Sequence, residues 1–349
     1  MAAPAVAQMI PPGAIETPSL VIDEATVLYN LERTLAIAGG AQRLIPHLKT
    51  HRAPWVVRML VGRGVKAFKT ATPAEVEMAL DAGAAEVLWA NPSVNRGAIE
   101  RVVDAARRHR AASVSALVES REGLAIWRAA LKDESHVRLR VDLDGGMGRT
   151  GMPMDEPAVE LARLLLGHGL FAGWHLYDGH ARGADEAGAV RSKLEEFLVK
   201  TGGRLAQSEI VVGGSYSFQH WHGSRYRVSP GSWIYSSSRH SRDLSHLGWR
   251  QAAFVLATVV SVRAASFTID AGAKAIGADL ALAERFAGTG RILGMSEEHT
   301  VVEGAGRAVG ERVLLTPGHA CTTAYLYDHA WVRNVDDGWT RRPQMGNQR

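Results

Sequence analysis

Short apolar runs alternate with amphipathic helical patterns through the first two thirds of the chain. The run 65–68 precedes a helical pattern over 73–82, and the run 86–90 precedes one over 96–108. Strands that alternate with helices in this way form βαβ units around a parallel sheet. The same order recurs in three further pairs, at 113–118 with 122–131, 137–143 with 157–166, and 171–176 with 184–200.

The number of these units favours a closed barrel. Together with the apolar run 209–212, about seven or eight units fit before residue 240, which is the size of a (β/α)8 barrel. The pattern therefore predicts a barrel domain over residues 25–244. An open, doubly wound sheet would produce the same alternation and is the structural alternative.

After residue 245 the pattern changes to short β-rich runs separated by glycine and charged turns. These runs cover 254–262, 266–269, 300–302, 311–315 and 325–332. We predict a second, mostly antiparallel β domain over 245–349, with a helical pattern only at 280–286. The strand-like segment 19–22 could pair with this domain, so residues 1–24 are predicted to be a tail and a strand that joins it.

Composition is typical of a soluble globular protein, with 46% hydrophobic and 22% charged residues. Cys321 is the single cysteine, so no disulfide forms within the chain, and a reducing, cytoplasmic location is expected. Residues 1–13 are rich in Ala and Pro, lack the features of a signal peptide, and are expected to form a loose tail. No apolar run is long enough to span a membrane.

The charge of the chain argues against nucleic acid as a partner. The net charge of +4 and the pI of about 9.3 are modest for 349 residues. Basic residues alternate with acidic ones instead of forming a patch, as in the segment 101–110. A small-molecule partner is therefore expected.

Lys49 lies between two histidines, His47 and His51, in a segment that begins with the apolar residues Ile45 and Pro46. A lysine at the carboxyl end of a barrel strand would face the mouth of the barrel, where active sites of this architecture lie. Partial desolvation there would favour the neutral amine, which can attack an aldehyde. On its own, the pattern also fits a lysine in a solvated loop.

The wider sequence around Lys49 resembles one family of enzymes. The segment Pro46-His47-Leu48-Lys49-Thr50-His51-Arg52 is similar to a motif of the D-threonine aldolase and D-serine dehydratase family, which are alanine-racemase-like (fold-type III) enzymes that use pyridoxal phosphate (PLP). The resemblance extends over nearly the whole chain in ordered motifs. These include Thr17-Pro18-Ser19-Leu20, Ala71-Thr72-Pro73-Ala74-Glu75, Asp142-Leu143-Asp144-Gly145-Gly146-Met147-Gly148-Arg149, Tyr177-Asp178-Gly179-His180, Gly213-Gly214-Ser215, Ser229-Pro230-Gly231, Asp270-Ala271-Gly272 and Pro317-Gly318-His319-Ala320-Cys321.

The resemblance implies an N-terminal PLP barrel, a C-terminal β domain and a homodimer whose two chains complete each other's site. It implies that Lys49 carries PLP as a Schiff base. Two departures bear on the pocket edge and the dimer contact. Arg52 stands where the family usually has lysine, and residues 232–238 lack an aspartate that is common there.

The PLP phosphate is a dianion near neutral pH and needs backbone N–H donors. Gly213 and Gly214 follow an apolar strand and would let the backbone approach it closely. Further donors are expected from Ser215, Gly231, Ser232 and Trp233.

Two side chains are expected near the PLP ring. By resemblance, Arg149 would lie near the pyridine nitrogen, and because arginine keeps its protons, it would leave that nitrogen unprotonated. Tyr177 would position the ring or the substrate.

His319 and Cys321 are two residues apart. If the segment is extended, both side chains lie on one face, and imidazole with thiolate favours a zinc-like ion. The resemblance implies that these two residues bind the metal, for which Mn²⁺ or Mg²⁺ is also common among the aldolases of the family.

The expected reaction is cleavage of a β-hydroxy-D-amino acid. Substrate amine displaces Lys49, and the metal binds the β-hydroxyl group. A base, His51 or a metal-bound water, removes the hydroxyl proton, and the products are glycine and an aldehyde. In the alternative, a dehydratase, Lys49 removes the α-proton and an α-keto acid and ammonia form. A non-catalytic PLP carrier and a metal-independent racemase are further alternatives, of which the carrier would lack the β domain and the metal pair.

Overall fold

The computed structural model describes residues 9–132 and 137–349 of the chain. The helices are α1 (Glu24–Ala38), α2 (Pro54–Gly62), α3 (Pro73–Asp81), α4 (Arg96–Arg108), α5 (Arg121–Leu131), α6 (Glu156–Gly167), α7 (Ala184–Thr201), α8 (Gly203–Ala206), α9 (Ser238–Asp243) and α10 (Ala320–Ala324). The strands are β1 (Ser19–Asp23), β2 (Ala67–Thr70), β3 (Glu86–Trp89), β4 (Ser113–Val118), β5 (Val137–Asp144), β6 (Phe171–Tyr177), β7 (Ile210–Val212), β8 (Arg227–Val228), β9 (Ala253–Val262), β10 (Ser266–Ile269), β11 (Phe286–Ala287), β12 (Ile292–Met295), β13 (Thr300–Glu303), β14 (Arg312–Pro317), β15 (His329–Arg333) and β16 (Trp339–Pro343).

The described residues form two compact units. The barrel unit comprises 35–49, 54–132, 137–231 and 349, and the β unit comprises 9–34, 50–53 and 232–348. The domain boundaries predicted at residues 25 and 245 remain predictions.

The barrel unit contains a parallel sheet in the order β2-β3-β4-β5-β6-β7-β8. The segment 44–47 joins the two edge strands of this sheet: Leu44 pairs with Val228 of β8, and His47 pairs with Lys69 of β2, both in parallel. It therefore occupies the position of an eighth strand. The predicted fold class, a β/α barrel followed by a mostly antiparallel β domain, is confirmed.

Local capping explains where the helices of the barrel unit begin. The side chain of Thr72 accepts a hydrogen bond from the backbone N–H of Glu75, and Pro73 occupies the first turn of α3. Asn95 and Ser120 cap α4 and α5 in the same way. Such caps satisfy amide groups that the first turn of a helix leaves without partners.

The interior of the barrel is filled with apolar side chains. Ile45, Ala67, Leu88, Leu117 and Val211 come from five different strand positions and pack into one buried cluster. The barrel is consequently a packed core and not a channel, and polar chemistry is confined to its ends.

The β unit contains strands in the order β12-β13-β10-β9-β1-β15-β16, and β14 pairs with both β9 and β11. Its pairs are antiparallel except that β1 and β15 run parallel. Its core is formed by alternate residues of these strands, including Val255, Ala257, Phe267, Val302 and Leu315.

Two local expectations from the sequence were wrong. The helical pattern at 280–286 forms only a 3-10 turn, Leu282–Glu284, because Phe286 pairs instead with Pro317 in the β11–β14 ladder, and so short a helix is marginal without packing. The tail is not loose from Met9 onward, since Met9 is buried against Val21, Leu256 and Leu314. Residues 1–8 of the predicted tail lie outside the described residues.

Within the described ranges, the helices are too short or too polar to cross a lipid bilayer.

Candidate active site

A cavity of about 350 Å³ opens at the carboxyl ends of the barrel strands. Its lining includes Lys49, Arg149 and Tyr177, three of the residues predicted from the sequence. It also includes four polar side chains to which the sequence analysis gave no role, namely His47, Lys69, Asp142 and His175. The cavity is therefore rich in cationic and imidazole groups, as a site for an anionic ligand would be.

Lys49 lies in a 3-10 turn, Leu48–Thr50, directly after the segment that closes the sheet. Its backbone N–H donates to Nδ1 of His47 at 3.3 Å. Burial, and then the charges of Lys49 and Lys69, lower the pKa of His47 well below its usual value. His47 is thus a neutral ring that helps to shape the turn carrying Lys49.

Asp142 of β5 and His175 of β6 form a buried pair, with Asp142 Oδ1 2.6 Å from His175 Nδ1. Burial, and then the charge of Lys69, lower the pKa of His175 to about 4. The neutral ring therefore donates from Nδ1 to the carboxylate, and Nε2 carries a lone pair. His175 Nε2 is buried and has no hydrogen-bond partner among the described residues.

The Tyr177 ring closely packs against glycine backbone. A Cβ atom on Gly214 would lie 2.8 Å from Tyr177 Cε2, and one on Gly179 would lie 2.3 Å from the ring. The Arg149 guanidinium lies 5.1 Å from the ring centroid, within the range of a cation–π interaction. Arg149 and Tyr177 are thus held together on one wall of the cavity.

The predicted phosphate turn follows β7, and Gly213 has a φ of +82° that favours glycine. Gly214 N–H donates to Ser217 Oγ at 3.0 Å, and Ser217 Oγ donates to Asp178 Oδ1 at 2.5 Å. Trp221 Nε1 also donates to Asp178, at 2.8 Å. The buried carboxyl group of Asp178 therefore stabilises the turn through Ser217, a role that the sequence did not reveal.

The second predicted phosphate loop lies beside the first. Ser229 Oγ donates to the carbonyl oxygen of Gly213 at 3.0 Å, and Gly231 N–H donates to Ser215 Oγ at 3.2 Å. Four of the predicted phosphate-binding residues, Gly213, Gly214, Ser215 and Gly231, are thus brought together. Ser232 and Trp233 follow in the 3-10 turn Ser232–Ile234 of the β unit, where the Trp233 side chain is buried.

The cavity fits PLP by two observations of the structure. The bare, buried Nε2 of His175 provides an acceptor for a ligand hydrogen bond. Beside the cavity, the Gly213–Gly214 turn packs against Tyr177, one of the cavity-lining residues, and its two glycines leave the backbone uncovered by side chains of their own, which suits a phosphate ligand. Lys49 supplies an amine that can bond the PLP aldehyde.

His51, the predicted base, belongs to the β unit. Its Nδ1 accepts a hydrogen bond from the backbone N–H of Ala53 at 3.1 Å, and burial lowers its pKa to about 3. The neutral ring therefore carries its proton on Nε2, which makes that atom a hydrogen-bond donor.

The predicted metal ligands are near each other, but not for the predicted reason. The segment is not extended: α10 begins at Ala320, and His319 is its N-cap. The His319 side chain makes no capping hydrogen bond to this helix and instead hydrogen-bonds to the Cys321 side chain. Burial alone would lower the pKa of His319, but the hydrogen bond and charge of Cys321, together with Asp279, raise it to about 9.

Asp279 is a partner of His319 that sequence analysis missed. Its Oδ2 lies 2.6 Å from His319 Nδ1, and its Oδ1 accepts from Thr322 Oγ1 at 2.7 Å. A carboxylate that orients an imidazole in this way is common behind metal-binding histidines. The donor types fit a zinc-like ion, although no cluster of three or more His, Cys, Asp or Glu side chains suited to a metal occurs in the described residues.

Family models account for both units of this architecture. The model of the alanine racemase N-terminal domain matches residues 22–238, and that of a serine dehydratase domain matches residues 252–333. The first match covers more than half of the chain, so the chain belongs to the alanine racemase-like family. The family recognised from the sequence motifs is thereby confirmed.

Individual relatives are similar along almost their entire length. 3-Hydroxy-D-aspartate aldolase of Paracoccus denitrificans is 26% identical, with 93% of this chain and 89% of that protein aligned. The structure of D-threonine aldolase from Filomicrobium marinum matches with a TM-score of 0.81 and 24% identity over 95% of each chain. That of D-threo-3-hydroxyaspartate dehydratase from Delftia sp. HT23 matches with a TM-score of 0.79 and 20% identity, over 95% of this chain and 97% of that one.

Proposed function

We propose that the protein is a PLP- and metal-dependent lyase that cleaves β-hydroxy-D-amino acids to glycine and an aldehyde. The observation that carries this proposal is the cavity in which Lys49, the His175–Asp142 pair, Arg149 and Tyr177 meet at the mouth of a β/α barrel. The aligned relatives agree with a lyase of this class. By name they are a 3-hydroxy-D-aspartate aldolase, a D-threonine aldolase and a D-threo-3-hydroxyaspartate dehydratase.

In the barrel unit, Lys49 and the phosphate-binding loops have separate roles in this proposal. Lys49 holds the cofactor covalently and is the base for the α-proton in a dehydration. The Gly213–Ser215 turn and Gly231 bind the phosphate through backbone and hydroxyl donors. When bound, PLP supplies the electron sink for the bond cleaved at the α-carbon.

In the β unit, His319 and Cys321 would hold a divalent cation, with Asp279 keeping the imidazole in its ligating orientation. A cation at this pair would act as a Lewis acid toward the β-hydroxyl group. His51, with its proton on Nε2, is suited to donate a hydrogen bond and would serve as base only after a change of tautomer.

The second candidate is a dehydratase that yields an α-keto acid and ammonia. It is favoured by the match of residues 252–333 to a serine dehydratase domain. The two reactions share the cofactor and the substrate and differ in which bond at the α-carbon is broken.

We also propose a homodimer, from the family resemblance, and a cytoplasmic location, from the single cysteine.

Product analysis separates these candidates. Purified protein with PLP and Zn²⁺, Mn²⁺ or Mg²⁺ is given D-threonine, D-serine and 3-hydroxy-D-aspartate. Cleavage gives glycine with acetaldehyde, formaldehyde or glyoxylate, whereas dehydration gives ammonia with 2-oxobutyrate, pyruvate or oxaloacetate. We expect the first set of products, and their formation should stop when a chelator is added and resume when the metal is restored.

Two variants complete the experiment. Lys49→Ala should lose both turnover and the absorbance band of lysine-bound PLP, because no other residue is assigned to hold the aldehyde. Lys200→Ala, on the exposed face of α7, is the matched control and should retain both. Absence of turnover on all three substrates with cofactor and metal supplied would refute the lyase proposal, and PLP binding without turnover would favour the carrier.

A further inference from the structure

The cavity contains a second lysine, Lys69, in addition to Lys49. Lys69 lies on β2, its side chain points into the barrel mouth, and only 3% of it is exposed. Within the described residues, its Nζ makes one hydrogen bond, to Ser229 Oγ at 3.0 Å, and it forms no ion pair with a carboxylate. The Nζ atom also lies 5.4 Å from the centroid of the Tyr177 ring.

This environment is costly for an ammonium group. A buried charge without an ion-pair partner loses its hydration, which favours the neutral form of the group. The Ser229 hydroxyl is a single acceptor and already donates its own hydrogen to the Gly213 carbonyl oxygen. A neutral amine fits better, because it donates one hydrogen to Ser229 and keeps a lone pair for the cavity.

We propose that Lys69 is a second catalytic lysine, whose Nζ takes the proton that the substrate's β-hydroxyl group loses and returns it to the α-carbon of the product. The proposal rests on the proposed lyase function. As the hydroxyl O–H bond breaks, its proton forms the third N–H bond of Lys69. The ammonium then protonates the α-carbon after cleavage, and Lys69 is neutral again, so no further reactant is consumed.

The burial of Lys69 outweighs its neighbouring carboxylates. Burial, and then the charge of Lys49, lower the pKa of Lys69 to about 7, near the value at which a group exchanges protons most effectively at neutral pH. His175 and His51 are poorer acceptors, because their pKa values are lowered to about 4 and about 3. Among the charged groups that face Lys69, Lys49 and Arg149 lower its pKa, whereas Asp142 and Asp178 raise it by less than burial lowers it. The titratable groups His47, His175 and Tyr177 also face it.

Two variants of Lys69 distinguish proton transfer from a purely electrostatic or structural role. Lys69→Met removes the amine, and Lys69→Arg keeps a positive charge that cannot be given up. We expect kcat to fall at least about 100-fold in both, the usual contribution of general acid–base catalysis, while the absorbance band of bound PLP persists. Lys200→Met is the matched control and should turn over like the wild type.

The pH profile and a cofactor-free measurement provide independent readouts. Wild-type kcat should fall as the pH drops into the acidic range, because the acceptor must be the neutral amine, and the variants should lack this limb. In cofactor-free protein with ¹³C-labelled lysine side chains, one Cε resonance should titrate near neutral pH and be missing from the Lys69 variants. This measurement needs no turnover, and if a Lys69 variant is unstable, Lys49→Ala separates the two lysines of the cavity, because the resonance of Lys69 should remain in it.

Three results would overturn the assignment: a Lys69→Arg enzyme as active as the wild type, a Lys69→Met enzyme within a few-fold of it, or a Lys69 resonance that titrates like those of exposed lysines. A wild-type protein that is inactive on all three substrates would refute the lyase function itself. The NMR titration would still report on Lys69 in that case.

Discussion

At the scale of single residues, the cavity holds histidines that are neutral because they are buried. Burial and the charge of Lys69 lower the pKa of His175 from its usual value to about 4. Between these values the unfolded chain binds a proton that the folded protein does not, so stability falls as the pH drops. His175 alone should account for about 2 kcal/mol of this loss between pH 7 and pH 4.5.

His175→Asn tests this expectation. The asparagine amide nitrogen can replace Nδ1 as the donor to Asp142, but the side chain does not titrate. In urea unfolding of the cofactor-free protein, the variant should lose about 2 kcal/mol less stability than the wild type between pH 7 and pH 4.5. The exposed His168→Asn is the control and should lose as much as the wild type. An equal loss in all three proteins would show that His175 is not the titrating group.

At the scale of elements, the turn after β7 is shaped by close packing between its backbone and Tyr177. Gly214→Ala would place Cβ 2.8 Å from Tyr177 Cε2, so either the ring or the turn must move. We expect a loss of about 1–3 kcal/mol in the free energy of unfolding, as for other overpacked sites, and weaker PLP binding in absorbance titrations.

The control for this variant is a glycine that lacks such a neighbour. Gly188 lies on the exposed face of α7, and no atom lies within 4 Å of the position its Cβ would take. Gly188→Ala should therefore stabilise the protein by roughly 0.5–1 kcal/mol through helix propensity and leave PLP affinity unchanged. A Gly214→Ala protein that binds PLP as tightly as Gly188→Ala would contradict the role of the turn.

At the scale of the whole molecule, cofactor binding should be linked to folding. The proposed ligands of PLP come from distant positions, among them Lys49, Arg149 and Gly213, and are gathered only in the folded chain. A ligand that binds only the folded state at 100 times its Kd stabilises it by about 2.7 kcal/mol. Thermal unfolding should therefore shift upward by several degrees with PLP, and by much less in Lys49→Ala. An unchanged Tm at saturating PLP would argue against cofactor binding.

The sequence by itself determined the elements and the family. Apolar periodicity is a local property, so the patterns at 96–108 and 113–118 agree with the bounds of α4 and β4. The ordered motifs identified the family because many short matches occur in the same order along nearly the whole chain, which is far more specific than any one of them. Where a local pattern was too short, as at 280–286, strand pairing between Phe286 and Pro317 prevailed.

Only the tertiary structure decided which polar side chains meet. Asp142 and His175 are 33 residues apart, and Asp279 and His319 are 40 apart, so no spacing in the sequence reveals either pair. In the sequence, Lys69 is an ordinary strand residue. The fold places its side chain inside the cavity, where it donates a hydrogen bond to Ser229, which lies 160 residues further along the chain. Strand register and burial set these contacts and the protonation states that depend on them, because desolvation acts on position in space and not on position in the chain.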